Sequence, residues 1–341
     1  MGNKKKASTS KRHPVIVFIH DLVWHVKFSH VVFAVSLGVL LALLFSPREQ
    51  LAIQPFNLLN NPEELSWEPA EAVIQPTIEP KIPPPHPKEL SASPPVLSAR
   101  AVVALDVASK EVLFASNERL QLWPASTTKV MTALVALDAY DLDEEVTVTS
   151  PIHEGSVMEL TEGEHMTVEN LLYGTLIQSA NDAAYALAQH HPAGIAGFVD
   201  QMNQKVEEIG LENTHFVDPA GFDNEKQYTT AYDLAKLSLY ALTNRTIAHM
   251  VSLPAITVPD GTFTRFHSLK NVNQLLGTVP GVAGIKTGWT ENAKENLINL
   301  TKRDGHGVLT VILGSDDRFG ETQYLTNWVF ENFEWNNSPT P

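Results

Sequence analysis

The chain has no cysteine in its 341 residues. That absence excludes disulfides, lipid attachment through cysteine and thiolate metal sites. A domain without such staples rests on the size of its apolar core, and the second half of the chain is long enough to build one. Positive charge is scarce once the first 45 residues are passed. Lys4, Lys5, Lys6, Lys11, Arg12 and Lys27 oppose only Asp21 there, so with −15 for the whole chain the remainder carries −20. A surface that acidic repels phosphate backbones, which argues against nucleic acid as a partner. Zinc-site spacing is missing too: His190-His191 has no glutamate at the required offset and reads as a helix end, and His215 reads as structural. There is no internal repeat.

What is present begins with one apolar run. Phe28 to Phe45 carries no Asp, Glu, Lys or Arg. At about 1.5 Å per residue the run spans roughly 27 Å, close to the thickness of a bilayer core. Its basic residues lie on the N-terminal flank, which predicts a single-pass cell-membrane anchor with a cytoplasmic N-terminus and an extracytoplasmic remainder. A cleaved signal peptide is the alternative, and the long stretch before the run with no clear Ala-x-Ala site favours retention. Residues 46–97 hold more than half of the 22 prolines, including Pro83-Pro84-Pro85-His86-Pro87. Proline locks φ and withholds a backbone donor, so this segment reads as an extended linker that pairs into no sheet. The expected organisation is a basic tail (1–27), an anchor (28–45), the linker (46–97), a catalytic domain (98–335) and a short tail (336–341).

Within the domain, Val102–Asp106 and Val112–Phe114 read as strands joined by a turn at Ala108-Ser109-Lys110. Helices are expected from about Ser126 to Leu137, and over Val168–Leu176, Asp182–Gln189, Ile195–Ile209 and Ala231–Ala241. Leu297–Leu300 and Gly307–Leu313 are strand-like, and Phe319–Phe333 reads as a closing helix. Strands at both ends with helices between predict an α+β domain whose sheet joins distant segments.

Three strings carry chemistry. In Ser126-Thr127-Thr128-Lys129, serine and lysine three apart share one helix face. A serine hydroxyl needs a base, and a buried lysine loses its charge readily enough to be one. The same pattern occurs at Ser8-Thr9-Ser10-Lys11; only the helical context of Ser126 separates the two. In Ser179-Ala180-Asn181 the hydroxyl suits a proton relay and the amide suits a substrate backbone, although both residue types also cap helices. In Lys286-Thr287-Gly288 the first two residues can hold a carboxylate and the glycine admits a neighbouring backbone, although a surface turn fits these residues as well. Taken together and in order, the three strings point to serine acyl transfer.

With its flanking blocks the sequence resembles the D-alanyl-D-alanine carboxypeptidases, the low-molecular-mass penicillin-binding proteins. The likeness runs from about 98 to 335 through Trp123–Thr132, Leu172–Ala188, Asn213–Phe216, Asp218–Phe222, Thr230–Ala235 and Gly281–Ala293. It implies a β-lactamase/D,D-peptidase-like fold, with an antiparallel sheet flanked by helices plus a helical subdomain. It also implies roles: Ser126 as nucleophile, Lys129 as base, Ser179 as proton relay, Asn181, Lys286, Thr287 and Gly288 as substrate contacts, and the N–H groups of Ser126 and Trp289 as oxyanion hole. The substrate would be a peptidoglycan stem peptide ending in D-Ala-D-Ala, β-lactams would acylate the same serine, and no metal or cofactor is implied.

Three departures stand out. Ala180 occupies the middle of the second string. Ala293-Lys294 follows where the family usually has Ala-Gly. The chain stops at Pro341, without the family's usual C-terminal β-rich domain and membrane helix; the N-terminal anchor is expected to replace them. A D,D-endopeptidase on cross-links, or a catalytically idle penicillin-binding sensor or scaffold, would carry the same strings. A class A β-lactamase would need a Glu-x-x-x-Asn arrangement between Lys129 and Lys286, and none is found.

Overall fold

The computed structural model describes residues 86–87 and 93–335. The expected basic tail, anchor and C-terminal tail, and most of the linker, lie outside the described residues. Among the described residues no helix is long and apolar enough to cross a membrane.

The sheet is centred on two strands far apart in sequence. Ala101–Asp106 (β1) is buried at every position and pairs antiparallel with part of His306–Ser315, Leu105 opposite Leu309 and Val103 opposite Val311. Such continuous apolar runs suit strands covered on both faces. Val112–Ser116 (β2) follows β1 through the expected turn, where the Asp106 carboxylate accepts the N–H and hydroxyl of Ser109 at 2.7 Å each. Glu145–Thr147 (β3) and His165–Thr167 (β4) form one small hairpin, and Ala255–Pro259 (β5) and Phe266–Lys270 (β6) another. Val282–Thr290 (β7), Lys294–Arg303 (β8) and His306–Ser315 (β9) complete the main sheet, whose order is β2-β1-β9-β8-β7. The last of these positions leaves β7 as an edge strand.

Both faces of the sheet are covered. Val103, Leu105, Leu309, Val311 and Ile298 join a large apolar core with the helical half of the domain. Val102, Ala104, Val308 and Ile312 pack instead against Leu325 and Val329 of the closing helix Arg318–Asn332. The predicted α+β architecture, an antiparallel sheet flanked by helices, is the observed one.

The central helix, Lys129–Ala139 (α1), is buried from Lys129 to Ala136. Val168–Tyr173 (α2) packs on Asn181–His190 (α3); α3, Gly194–Ile209 (α4) and Ala231–Ala241 (α5) pack on α1; Arg245–Val251 (α6) lies against β7, and Arg318–Asn332 is α7. The structure differs from the sequence reading at three places. The helix expected from Ser126 starts as a 3-10 turn over Ala125–Thr128. The helix expected to run to Leu176 stops at Tyr173 and widens into a π turn, Gly174–Gln178. Its entry, Gly174, has Met158 packed where a side chain would stand, with Sδ 2.4 Å from an added Cβ. Finally, His86–Pro87 in the proline-rich segment pairs antiparallel with Phe333–Glu334, against the expectation that this linker pairs with nothing. An edge position lets a proline-containing segment take part, because the missing donor can face outward. The two small hairpins and α6 were not anticipated, being too short for periodicity to register.

Candidate active site

Pro124 and the left-handed Ala125 (φ 48°) swing the chain into the 3-10 turn. In such a turn residues three apart eclipse, which brings Ser126 and Lys129 together. Lys129 Nζ lies 2.9 Å from Ser126 Oγ, 2.7 Å from Asn181 Oδ1 and 2.8 Å from the carbonyl of Ala220. Two of these three partners can only accept. A neutral amine therefore spends its two N–H bonds on Asn181 and Ala220 and turns its lone pair to the serine hydroxyl. Burial pulls the ammonium down from 10.5 to about 7, against the opposing pull of Asp218 and Asp182.

The second string sits at a joint. The π turn ends on Ser179, whose φ of 62° is left-handed, and α3 starts two residues later. Segment 154–160 fixes this joint. Asn181 N donates to the Ser156 carbonyl at 2.7 Å, and Asn181 Nδ2 donates to the Glu154 carbonyl at 2.8 Å. The buried Asp182 carboxylate accepts the N–H groups of Met158 and Leu160, each at 3.0 Å. A carboxylate holding several backbone donors is a strong local staple.

The third string lies in β7, where Lys286 is opposite Ile298 and Thr287 opposite Leu297. Lys286 Nζ donates to Ser179 Oγ at 2.8 Å and to the Thr287 carbonyl at 3.1 Å. Burial, then the neighbouring cations Lys129 and Arg318, push its pKa well below the usual lysine value. Gly288 passes so close to the serine turn that an added Cβ would stand 3.1 Å from the Pro124 carbonyl and 3.2 Å from Ser126 N. A cleft of about 650 Å³ lies between β7 and the helical side, lined among others by Ser126, Ser179, Asn181, Thr287, Gly288 and Trp289. Lys129 and Lys286 sit behind these, Lys129 bonded to Ser126 and Asn181 and Lys286 to Ser179 and Thr287. The structure thus brings all eight sequence-predicted site residues to one place.

A profile of the D-alanyl-D-alanine carboxypeptidase family matches residues 88–317. The chain belongs to that family. It is 32% identical over 246 residues to the D-alanyl-D-alanine carboxypeptidase DacF of Bacillus subtilis, covering 69% of this chain and 63% of that protein. With DacD of Escherichia coli it shares 34% over 261 residues, covering 71% and 66%. The chain thus spans about two thirds of the length of these curated relatives. Among solved structures, the Streptomyces K15 DD-transpeptidase superposes with a TM-score of 0.66 at 30% identity, covering 70% of this chain and all of that one (100%). Penicillin-binding protein D2 from Listeria monocytogenes, solved in its ampicillin-bound form, gives a TM-score of 0.62 at 29% identity, covering 69% and 98%.

Several residues of this carboxypeptidase-family site escaped the sequence reading. Arg318, at the start of α7, donates from Nη1 to the Gly288 carbonyl at 2.8 Å, lines the cleft, and keeps a buried Nε without a partner among the described residues. It stands where a free carboxylate held along β7 would meet a guanidinium. Asn296, fully buried in β8, donates to the carbonyls of Trp123 (3.0 Å) and Pro124 (3.1 Å) and accepts Gly314 N at 2.8 Å, tying the serine turn to the sheet. Asp218 accepts the N–H groups of Ala220 (2.7 Å) and Gly221 (2.6 Å), which aims the Ala220 carbonyl at Lys129. Asp218 stood inside a family-like block, and Arg318 and Asn296 gave no signal: a lone arginine or asparagine acquires meaning only from the fold.

His190 ends α3 as expected, against Glu144 at 2.7 Å, and His215 stacks on Tyr228. Among the described residues no cluster of His, Cys, Asp or Glu could hold a metal ion.

Proposed function

We propose that this protein is a serine-type D-Ala-D-Ala carboxypeptidase that trims the terminal D-alanine from peptidoglycan stem peptides through an acyl-enzyme and is acylated by β-lactams. The observation that carries this reading is the Lys129 amine 2.9 Å from Ser126 Oγ, with its other two partners both pure acceptors. Ser126 Oγ attacks the carbonyl carbon of the last peptide bond as its proton passes to the neutral Lys129. The charge that forms on the carbonyl oxygen is met by the N–H groups of Ser126 and Trp289, the latter following Gly288, which approaches the serine turn. The Ser179 hydroxyl, 2.8 Å from Lys286 Nζ, hands a proton to the departing D-alanine amine and takes its replacement from the Lys129 ammonium, so that Lys129 is neutral again in the acyl-enzyme. Thr287 and Arg318 bring donors and positive charge to the substrate's free carboxylate, Lys286 supports them from behind as a donor, and Asn181 meets the substrate backbone. Water then adds to the ester with Lys129 as base, which frees the shortened peptide and restores the serine.

Residues 28–45 are proposed to anchor the chain as a single pass, with the cleft on the extracytoplasmic side. The uncharged run and its basic N-terminal flank support that orientation.

The full-length chain is incubated with a D-Ala-D-Ala pentapeptide and, separately, with a labelled penicillin. Free D-alanine plus one covalent label per chain is the expected result. Ser126→Ala abolishes both, whereas Ser8→Ala changes neither. Wild-type labelling of the Ser126→Ala protein would refute the site. Deletion of residues 1–45 is expected to move the protein from the membrane to the soluble fraction, and a deleted chain still sedimenting with membranes would refute the anchor.

A further inference from the structure

Segment 154–160 supplies Glu154, Gly155 and Ser156 to the cleft wall. Its far side is gripped by a buried pair of titratable side chains for which the acyl-transfer chemistry has no use. His267, in β6, directs Nδ1 at the Met158 carbonyl (2.8 Å) and Nε2 at the Glu164 carboxylate (2.6 Å). Both side chains are only 4% exposed. A carbonyl oxygen only accepts, so Nδ1 carries hydrogen. Glu164 also accepts Thr161 N (2.9 Å), Thr161 Oγ1 (3.0 Å) and Arg265 Nη1 (3.2 Å). Burial raises its pKa, but the bonds from Thr161 and His267 outweigh that and hold it below the ordinary carboxylate value. Nε2 closes the other end of the bridge, so the buried ring spans the Met158 carbonyl and the Glu164 carboxylate.

Met158 is where this grip meets the site. Its carbonyl is held by His267, its N–H by Asp182, and its thioether fills the space over Gly174 at the entry of the π turn that ends on Ser179. We propose that His267 and Glu164 are positioning residues for acyl transfer: their hydrogen-bonded bridge fixes the Met158 carbonyl and, through it, presses segment 154–160 against Ser179 and Asn181. Neither residue touches substrate. A glutamine at 267 donates from one nitrogen and cannot span the carbonyl and the carboxylate as the ring does, and a glutamine at 164 replaces one acceptor oxygen by a donor, so the wall loosens in either variant. The inference rests on the acyl-transfer reading of the cleft.

The test uses the full-length chain, its His267→Gln and Glu164→Gln variants and the double variant. Release of D-alanine is followed over a range of peptide concentrations, and circular dichroism is recorded alongside. Each single variant is expected to keep the native spectrum and to lose about tenfold in kcat, with KM held within about twofold, as a misplaced but intact site would. The double variant is expected to be no slower than the slower single one, because the two residues act as a unit. A folded His267→Gln or Glu164→Gln protein with wild-type kcat overturns the proposal. So does loss of folding in both, which would make the pair a support of the fold and not of the site. A wild-type chain that neither releases D-alanine nor takes up penicillin removes the acyl-transfer reading itself, and this inference with it. An active wild type with unaffected variants removes the inference alone.

Discussion

On one side of the cleft, Lys286, Thr287 and Gly288 are presented by a strand buried from Gly284 to Gly288 and laddered to β8. On the other, Ser126, Ser179 and Asn181 stand at joints between helices, with left-handed backbone at Ala125 (φ 48°) and Ser179 (φ 62°). A ladder positions side chains through main-chain bonds that any residue can make. A joint has no such repeat, and here it is held by particular side chains: Asp182, Asp218, Asn181 and the His267–Glu164 pair. Left-handed conformations in non-glycine residues cost about 1–3 kcal/mol each and persist only where the surroundings over-determine them. The helical wall should therefore be the fragile one.

The same substitution on each wall gives the largest contrast. Gly221 has a φ of 94°, and an added Cβ would lie 1.8 Å from the Ala125 carbonyl oxygen. Gly221→Ala is expected to cost about 4 kcal/mol or more, read as a fall in the denaturation midpoint, because the new methyl group meets the Ala125 backbone, which has nowhere to yield. Gly288→Ala meets its nearest neighbours at 3.1 Å from an ordinary strand conformation. It should cost only about 1 kcal/mol in stability while slowing acylation roughly a hundredfold, since the displaced atoms belong to the serine turn. Equal stability losses in the two variants would break the comparison.

Asp182→Ala probes the staple of the joint and leaves the backbone N–H groups of Met158 and Leu160 buried without their acceptor. A loss of about 3 kcal/mol is expected by chemical denaturation. Lower protection of the amides of 156–160 in hydrogen exchange, with β7 unchanged, would show that the loss is local to one wall.

The two lysines sharpen the contrast by titration. Burial lowers both, but only Lys129 has the carboxylates Asp218 and Asp182 opposing that trend, which leaves it at about 7. The neutral amine is the base, so kcat/KM is expected to climb about tenfold per pH unit up to about 7 and then level off. A rate that stays flat from pH 5 to 8 would remove Lys129 from that role.

The sequence made the regular parts of the fold legible and the joints much less so. Apolar runs marked β1, β8 and β9, and helical periodicity marked α1, α4 and α5 within a few residues. The eight site residues were legible because their types and order are chemically unusual. The left-handed turn at Ala125, the π turn and the grip on Met158 were not, because each depends on contacts between segments distant in sequence. His267 and Glu164 are 103 residues apart, and nothing local to either one predicts a partner.

Lys294 is a place where the two readings meet. It follows Ala293, where the resembled family usually has glycine, and its φ is 60°. The turn it closes is fastened across the cleft mouth: Asp223 accepts the Thr290 hydroxyl at 2.6 Å and the Asn292 amide at 3.0 Å. Those bonds hold the β7–β8 turn in shape and leave Lys294 in a conformation that glycine adopts without strain. Lys294→Gly is therefore expected to stabilise the domain by about 0.5–1 kcal/mol, with acylation unchanged, because the regular wall already positions its residues through the ladder. Thr290→Val, which removes one of those bonds to Asp223, should cancel that gain by letting the turn relax in a chain that keeps Lys294. A Lys294→Gly protein less stable than the parent would mean that the lysine side chain, and not the ladder and the Asp223 link, holds this end of β7.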